Sequence, residues 1–599
     1  MSNISKMKRK EMLKFLDELR KQHNDDTSII AINEIENALT EKKYGLVWEE
    51  HEERVDKELK TKIPVFTEVE DKEIIMDKEK PYNFLIEGDN LHSLYLLEKT
   101  HSGMIDLIYI DPPYNTGKKD FIYDDDYINN DDEFRHSKWI SFMNKRLRMA
   151  RQLLSDEGVI FVSIGDDEVS QLKQLMDEIF GEDNYINLVA VKTKNAAGAS
   201  GGGEDKKLKK NIEFLLIYSK NSLALQPFET VYKKTEIEEL LNYYKENNIS
   251  WKYTSVIYDR GKKKYVGSTY DGSGDEIKIF KRINTEFKSV NQISKIENIS
   301  IKEVYYKYFD DIFTTAMPQS SIRKRVLDYI GTENLDKDSV YSIEYIPKSG
   351  RNKGKIYEQF YKGKRLRLFA WLADVGHKDE TGVYKKDIEG TYWDGIELNN
   401  LSKEGNVVFS NGKKPLSLIT RIINMIGKKD LVCLDFFAGS GTTGHAILDL
   451  NKKDGGNRKF ILCTNNENNI CEEITYQRML NIKEDYNFNL KYYKTDYIDR
   501  YGDENLYISD ELMNHIKEMV QLENHIKIDN EKYIIFYNED DVFQLIKDKD
   551  RLNKCEKIYK PSYIFFDTKQ LKEINNCGIE VITIPEYYFA NELKEVGEI

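Results

Sequence analysis

The chain has 599 residues, 40% of them hydrophobic and 32% charged, with a formal net charge of −14. This is too long for a single core and predicts roughly three to five structural units, and the acidic balance confines any polyanion contact to local basic segments. With no apolar run of about 18 residues, no apolar signal core in MSNISKMKRKEMLKF, and five Cys that form no CxxC pair, the expectation is no membrane span, no metal site, no disulfide framework and a cytoplasmic location.

Residues 1 to about 62 read as charged helix, with Met12, Phe15, Leu16 and Leu19 on one face that needs a packing partner. From residue 82 the pattern becomes alternating strands and helices. FLIEG (84–88), IDLIYI (105–110) and GVIFVSIGDDE (158–168) read as strands. NLHSLYLLEK, WISFMNKRLRMARQLL (139–154) and VSQLKQLMDEIF (169–180) read as helices. That alternation predicts a parallel sheet covered on both faces. AAGASGGGEDKKLKK (196–210) reads as a mobile loop and EFLLIYSK (213–220) as a further strand.

Between about 226 and 400 the alternation is lost, and short strands such as KKKYVGSTY (262–270) predict an inserted α+β domain. The α/β pattern returns near 415 with PLSLITRIINMI, LVCLDFF (431–437), GTTGHAILDLN and KFILCTN (459–465), so one sheet is assembled from two separated pieces of chain. The tail carries a helix with Leu512, Met513, Ile516, Met519 and Val520 on one face. The strand-like runs YIIFY (533–537), YIFFD (563–567) and IEVITI (579–584) follow, forming a small unit whose expected use is assembly. The expected units are therefore 1–65, 66–225, 226–400, 401–495 and 496–599.

Two strings carry chemistry. The first is Asp111-Pro112-Pro113-Tyr114, directly after a buried strand, in a chain with only 10 prolines. Adjacent prolines stop the strand and hold the preceding residues extended. A stiff carboxylate, a fixed carbonyl and an aromatic face suit an exocyclic base amine: Asp111 and the Pro112 carbonyl accept its two hydrogens, and Tyr114 stacks on a base drawn out of a duplex. A rigid strand-end turn is the alternative. The second string is LDFFAGSGTTGHA (434–446), strand, acid, Gly-rich turn and helix. It lacks the GK[ST] of a phosphate loop, and Asp435 at the strand end suits an ammonium group such as the amino-acid end of S-adenosylmethionine (SAM).

DPPYNTG followed far downstream by FAGSGTTGHA resembles the β-class amino-methyltransferases of DNA, in which the catalytic motif precedes the SAM motif. LIEGDNLHSL, DLIYIDPPYNTGKKDF, FVSIGDDE, QSSIRKRV and FILCTNNENNICEE together resemble the modification (Mod) subunits of Type III restriction–modification systems, over roughly residues 80 to 490. The resemblance implies a circularly permuted, Rossmann-like α/β methyltransferase domain, with the insertion as target-recognition domain. It also implies N6-adenine methylation of double-stranded DNA, a homodimer and a restriction subunit as partner. Asp111, Pro112, Pro113 and Tyr114 would then be catalytic. Asp89 would lie by the SAM adenine, and Asp435, Phe437, Gly439, Ser440, Gly441 and Thr442 would form the cofactor turn. Glu467 would bind the ribose hydroxyls, with Asn465 and Asn466 crowding the same loop, and Lys414 would stand on the cofactor side.

Arg323, Lys324 and Arg325, and Lys348 and Arg351 in KSGRNKGK, are candidate DNA contacts, against the plainer reading of a solvated helix face and a turn. His445, His101 and His136 show no catalytic or metal pattern. The rival functions are N4-cytosine methylation, a DNA-binding specificity subunit with vestigial methylation, and methylation of RNA or a glutamine side chain.

Overall fold

A computed structural model describes residues 13–16, 19, 32, 35 and 48–595, apart from 124–125, 130, 194–207, 209, 319–320, 349–352, 397–400, 410–411, 501–506 and 586–587. Met12 and most of the expected N-terminal helix and of the 196–210 loop lie outside the described residues. Leu16 is buried, whereas Phe15, expected on the same face, is 60% exposed. The chain divides into two compact units, Met1–Glu229 with Thr391–Ile599, and Thr230–Gly390.

The first unit is built on a ten-stranded sheet. Its strands are β1 (Lys62–Glu68), β2 (Tyr82–Glu87), β3 (Ile105–Ile110), β4 (Leu154–Ile164), β5 (Tyr185–Lys192), β6 (Ile212–Ser219), β7 (Tyr392–Trp393), β8 (Val432–Asp435), β9 (Lys459–Thr464) and β10 (Asn489–Asp499). In space they run β1-β10-β2-β9-β8-β3-β4-β6-β5-β7. Strands from both stretches of chain interleave, with β8 and β9 from the later stretch lying between β2 and β3 from the earlier one. β10 through β4 are all parallel. The parallel expectation fails at the flanks: β6 is antiparallel to both β4 and β5, and β1 to β10. β5 and β6 follow one another in sequence and pair as antiparallel neighbours.

The continuous apolar runs of the central strands are those of a sheet buried on both faces. One face is covered by α1 (Asn90–His101), α2 (Arg135–Leu153), α3 (Val169–Phe180) and the later helix Ile516–Asn524. The other is covered by α4 (Leu416–Ile426), α5 (Thr442–Asp454) and α6 (Gln477–Tyr486). This is the doubly wound, Rossmann-like arrangement, in which sites form beyond the carboxyl ends of the strands.

In the tail, Leu512, Ile516, Met519 and Val520 are buried in the core beneath this sheet, so that apolar face is satisfied within the chain. The small parallel sheet at the C-terminal end uses Tyr533–Ile535, Lys557–Lys560 and Glu580–Thr583. YIFFD is not one of its strands. Pro561 ends the preceding strand, Phe565 is 75% exposed, and Asp567 caps the helix Thr568–Asn576 by accepting from Lys569 N and Gln570 N, both at 2.8 Å.

The second unit is α+β. An eight-stranded sheet runs, in spatial order, through strands beginning at residues 262, 276, 340, 357, 367, 312, 255 and 286, every pair antiparallel. Phe313 and Phe369, adjacent strands apart, stack at 3.9 Å between ring centroids in one of its cores.

Candidate active site

β3 delivers Asp111 at its carboxyl end, and the turn that follows is fixed from behind. The Pro113 carbonyl accepts from Trp139 Nε1 at 2.7 Å. Asn115 is buried in the left-handed region (φ 55°), and its amide donates to the Arg135 carbonyl (3.2 Å) and to Glu168 Oε1 (2.6 Å). The same Glu168 oxygen pairs with His136 Nδ1. Burial pushes Glu168 up to about 8, against the Asn115 hydrogen bond, so at neutral pH it is a carboxylic acid. Among the described residues no donor reaches the Pro112 carbonyl. Two neighbouring carbonyls thus differ: that of Pro113 holds the turn in place, and that of Pro112 remains an acceptor.

Asp111 is half-buried, and desolvation pushes its carboxyl up to about 6 even though Lys414 opposes the rise. Lys414 Nζ forms an ion pair with Asp111 Oδ1 at 3.2 Å. The same amine donates at 2.6 Å to the Tyr114 hydroxyl and at 2.6 Å to Glu213 Oε2, and the Tyr114 hydroxyl donates to Glu213 at 2.9 Å. Burial works against the Lys414 charge, yet Asp111 and Glu213 outweigh it and hold the amine above its usual pKa. Gly165, at the end of β4, lies against the Tyr114 ring: a Cβ there would stand 3.0 Å from Tyr114 Cδ2.

Beside Asp111, the next strand, β8, ends in Asp435, whose carboxylate accepts from Phe437 N (3.0 Å) and the Thr443 hydroxyl (2.6 Å). Burial pushes it up to about 7, against both hydrogen bonds. Gly439 and Gly441 take positive φ of 49° and 71°, and a Cβ on Gly441 would meet Thr475 Cγ2 at 3.1 Å. The turn is pinned from beneath by Arg478, fully buried, which donates to Ser440 O (3.1 Å) and Thr442 Oγ1 (2.8 Å). Burial lowers His445 to about 3, with Arg478 and Lys413 adding to the effect, so its neutral ring accepts from Arg478.

A cleft of about 390 Å³ joins the two strings. Asp111, Pro112, Pro113, Lys414, Asp435, Phe437, Gly439, Ser440 and Thr442 all line it. Tyr114 and Gly441 adjoin it in sequence without being part of its lining. Asp89 caps α1 through Leu91 N (2.7 Å) and lies 3.5 Å from Arg146, at the carboxyl end of β2. Thr464 and Asn465 reach the cleft, whereas Glu467, expected at the ribose, lies two residues further on and is exposed. Lys414, expected on the cofactor side, carries its amine to the Asp111–Tyr114 end.

The basic candidates belong to the second unit. Arg323 is committed to the Arg365 carbonyl (2.9 and 2.6 Å), Arg325 donates to Tyr270 O (3.2 Å), and Lys348 pairs with Asp275 (2.6 Å). Lys324 is exposed on the helix Ser321–Ile330, and Arg351 lies outside the described residues. Sequence reasoning missed Glu213, Trp139, Glu168 and Arg478. Glu213 carried one signal, an acid at the head of the apolar run EFLLIYS; the others sit in ordinary helical patterns or loops.

The DNA methylase family model N6_N4_Mtase matches residues 105–522, well over half of the chain. The chain is 40% identical over 374 residues to the "Probable type III restriction-modification enzyme HindVI Mod subunit" of Haemophilus influenzae, covering 62% of this chain and 48% of that one. It is 29% identical to the type III restriction-modification enzyme StyLTI Mod subunit of Salmonella typhimurium, covering 65% and 53%. It is 30% identical to the type II methyltransferase M.KpnI of Klebsiella pneumoniae, covering 65% and 82%. The chain thus spans about half the length of the two Mod subunits. Among solved structures, the PvuII DNA methyltransferase (cytosine-N4-specific) aligns at 11% identity and a TM-score of 0.29, covering 75% of this chain and 98% of that one. Among the described residues no helix is long and apolar enough to cross a membrane, and no group of acidic, His or Cys side chains is arranged to hold a metal ion. By the extent of the family match and the M.KpnI alignment, the chain belongs to the DNA methylase family.

Proposed function

We propose that this chain transfers a methyl group from SAM to the N6 amino group of adenine in a specific double-stranded DNA sequence, as the modification and recognition subunit of a Type III restriction–modification system. The observation that carries the reading is the single cleft in which Asp111 and Pro112 share a wall with the Asp435–Thr442 turn.

The residues of that turn fit SAM. The buried Asp435 carboxylate matches an ammonium group, Phe437 offers a ring to an adenine, and the glycine backbone at 439 leaves room for close approach. The Thr464–Asn465 strand end completes that side of the site, and Asp89 is not part of the lining. When bound, SAM supplies an electrophilic methyl group on a sulfonium.

The chain's own residues do the rest. The Pro112 carbonyl and the cleft-facing oxygen of the Asp111 carboxylate accept the two hydrogens of the amine and turn its lone pair toward the methyl. The Asp111 carboxylate then takes the proton that the amine loses. Tyr114 stacks on the flipped base, because an amine inside stacked DNA is out of reach. Fixing these acceptors beforehand removes rearrangement from the reaction step.

In the same reading, the unit Thr230–Gly390 is the target-recognition domain, with Lys324, Arg325, Lys348 and Arg351 positioning DNA through its phosphates. The subunit forms a homodimer, takes a restriction subunit as partner for cleavage, and acts in the cytoplasm. Incubation of purified protein with labelled SAM and duplex DNA, followed by nucleoside mass spectrometry, tests the activity. N6-methyladenine is the expected product, and N4-methylcytosine or an unlabelled duplex would refute the reading.

A further inference from the structure

Glu213 stands at the head of β6, the antiparallel strand of the sheet's far half, and no motif pointed to it. Its Oε2 receives two donors, the Tyr114 hydroxyl at 2.9 Å and the Lys414 amine at 2.6 Å. Lys414 therefore makes shorter contacts to Glu213 and Tyr114 than to Asp111, whose Oδ1 it faces at 3.2 Å.

This asymmetry matters for an acceptor. A lone lysine beside a lone buried aspartate closes into a hydrogen-bonded pair and occupies the oxygen lone pairs. An amine substrate would then have to displace it. With a second carboxylate on its other side, the lysine is held against the buried oxygen Oδ1 of the aspartate and leaves the cleft-facing oxygen uncapped.

Resting on the methyl-transfer reading above, we propose that Glu213 is a positioning residue: it draws the Lys414 amine off Asp111, keeping Asp111 ionised yet open to the base amine, and it anchors the Tyr114 hydroxyl. The charged and titratable groups around Asp111 are Lys414, Glu213 and Tyr114, with Asp435 on the neighbouring strand and Tyr109 beneath, and Lys210 acts on Glu213 from outside. Burial would push Glu213 up, but Lys414 outweighs it and holds its carboxyl below the usual carboxylate range.

Glu213→Gln keeps an acceptor for both donors and removes the charge, so Lys414 closes onto Asp111. The expected result is a single-turnover methyl-transfer rate reduced about 10-fold or more, with an acid limb displaced by about one unit to lower pH. Lys414→Met displaces the limb to higher pH instead, because Asp111 loses its cation. SAM affinity by calorimetry should match wild type in Glu213→Gln, since Glu213 is not part of the cleft lining. A Glu213→Gln profile that superimposes on wild type after scaling, or limbs that move the same way in both variants, overturns the positioning role while leaving the activity standing. A wild type that binds SAM and transfers no methyl group overturns the activity and this role together.

Discussion

Asp111 and Lys414 meet at 3.2 Å, although the whole of the unit Thr230–Gly390 separates them in sequence. The interleaved sheet makes this possible, because β3 and β8 are parallel neighbours and their following turns open on one cleft. In the proposed chemistry Asp111 acts as the anion, and its pKa is pushed up to about 6. The single-turnover rate should rise with pH through about 6 and level off above it. A pH–rate profile with SAM and DNA saturating checks this, and Asp111→Asn should remove both the limb and most of the rate.

Arg478 is buried beneath the Gly-rich turn, bound to Ser440 O, Thr442 Oγ1 and His445. Arg478→Met leaves those acceptors buried without donors, at a cost of about 3 kcal/mol. Thermal melts should show the destabilisation. Calorimetry should show SAM affinity lowered about 10-fold, because the turn loses its support.

Gly441 and Gly455 form a matched pair. Both have positive φ, 71° and 68°, so alanine strains either by about 1 kcal/mol. Only at Gly441 does the new Cβ meet a neighbour, Thr475 Cγ2 at 3.1 Å, whereas at Gly455 nothing lies within 4 Å. Gly441→Ala should weaken SAM binding, and Gly455→Ala should leave it unchanged at a similar loss of stability.

Glu168 holds its proton to about 8 in the folded state, against the ordinary glutamate value of 4.5. Its folded pKa is raised, so its contribution to stability is complete below 4.5 and is lost as pH rises through about 8. Glu168→Gln keeps acceptors for Asn115 and His136 and removes the ionisation. Relative to this variant, wild type should lose up to about 1.4 kcal/mol per pH unit across that window. Melting temperatures of the two proteins from pH 5 to about 9 should diverge accordingly, with wild type falling faster.

The sequence made both halves of the site legible because each is a strand, an acid and a rigid turn, a pattern that local chemistry forces. It also exposed the divided sheet, since two α/β stretches flank a segment without that alternation. What it concealed lies in pairing. The antiparallel placement of β6 depends on which strands neighbour it, and Glu213 acquires its partners only through that placement. YIFFD has the composition of a strand, but Pro561 and the Asp567 cap decide its conformation. Arg478 gives no local sign, because its partners lie on a different element more than a strand and a loop away.

The most direct measurement is transfer of a labelled methyl group from SAM to duplex DNA by wild type and by Asp111→Ala, with SAM binding of both followed by calorimetry. The account predicts label in N6-methyladenine for wild type, a loss of at least about 1,000-fold in Asp111→Ala, and SAM affinities within a few-fold of each other. Transfer that is undiminished in Asp111→Ala, or absent in a wild type that binds SAM, would contradict it.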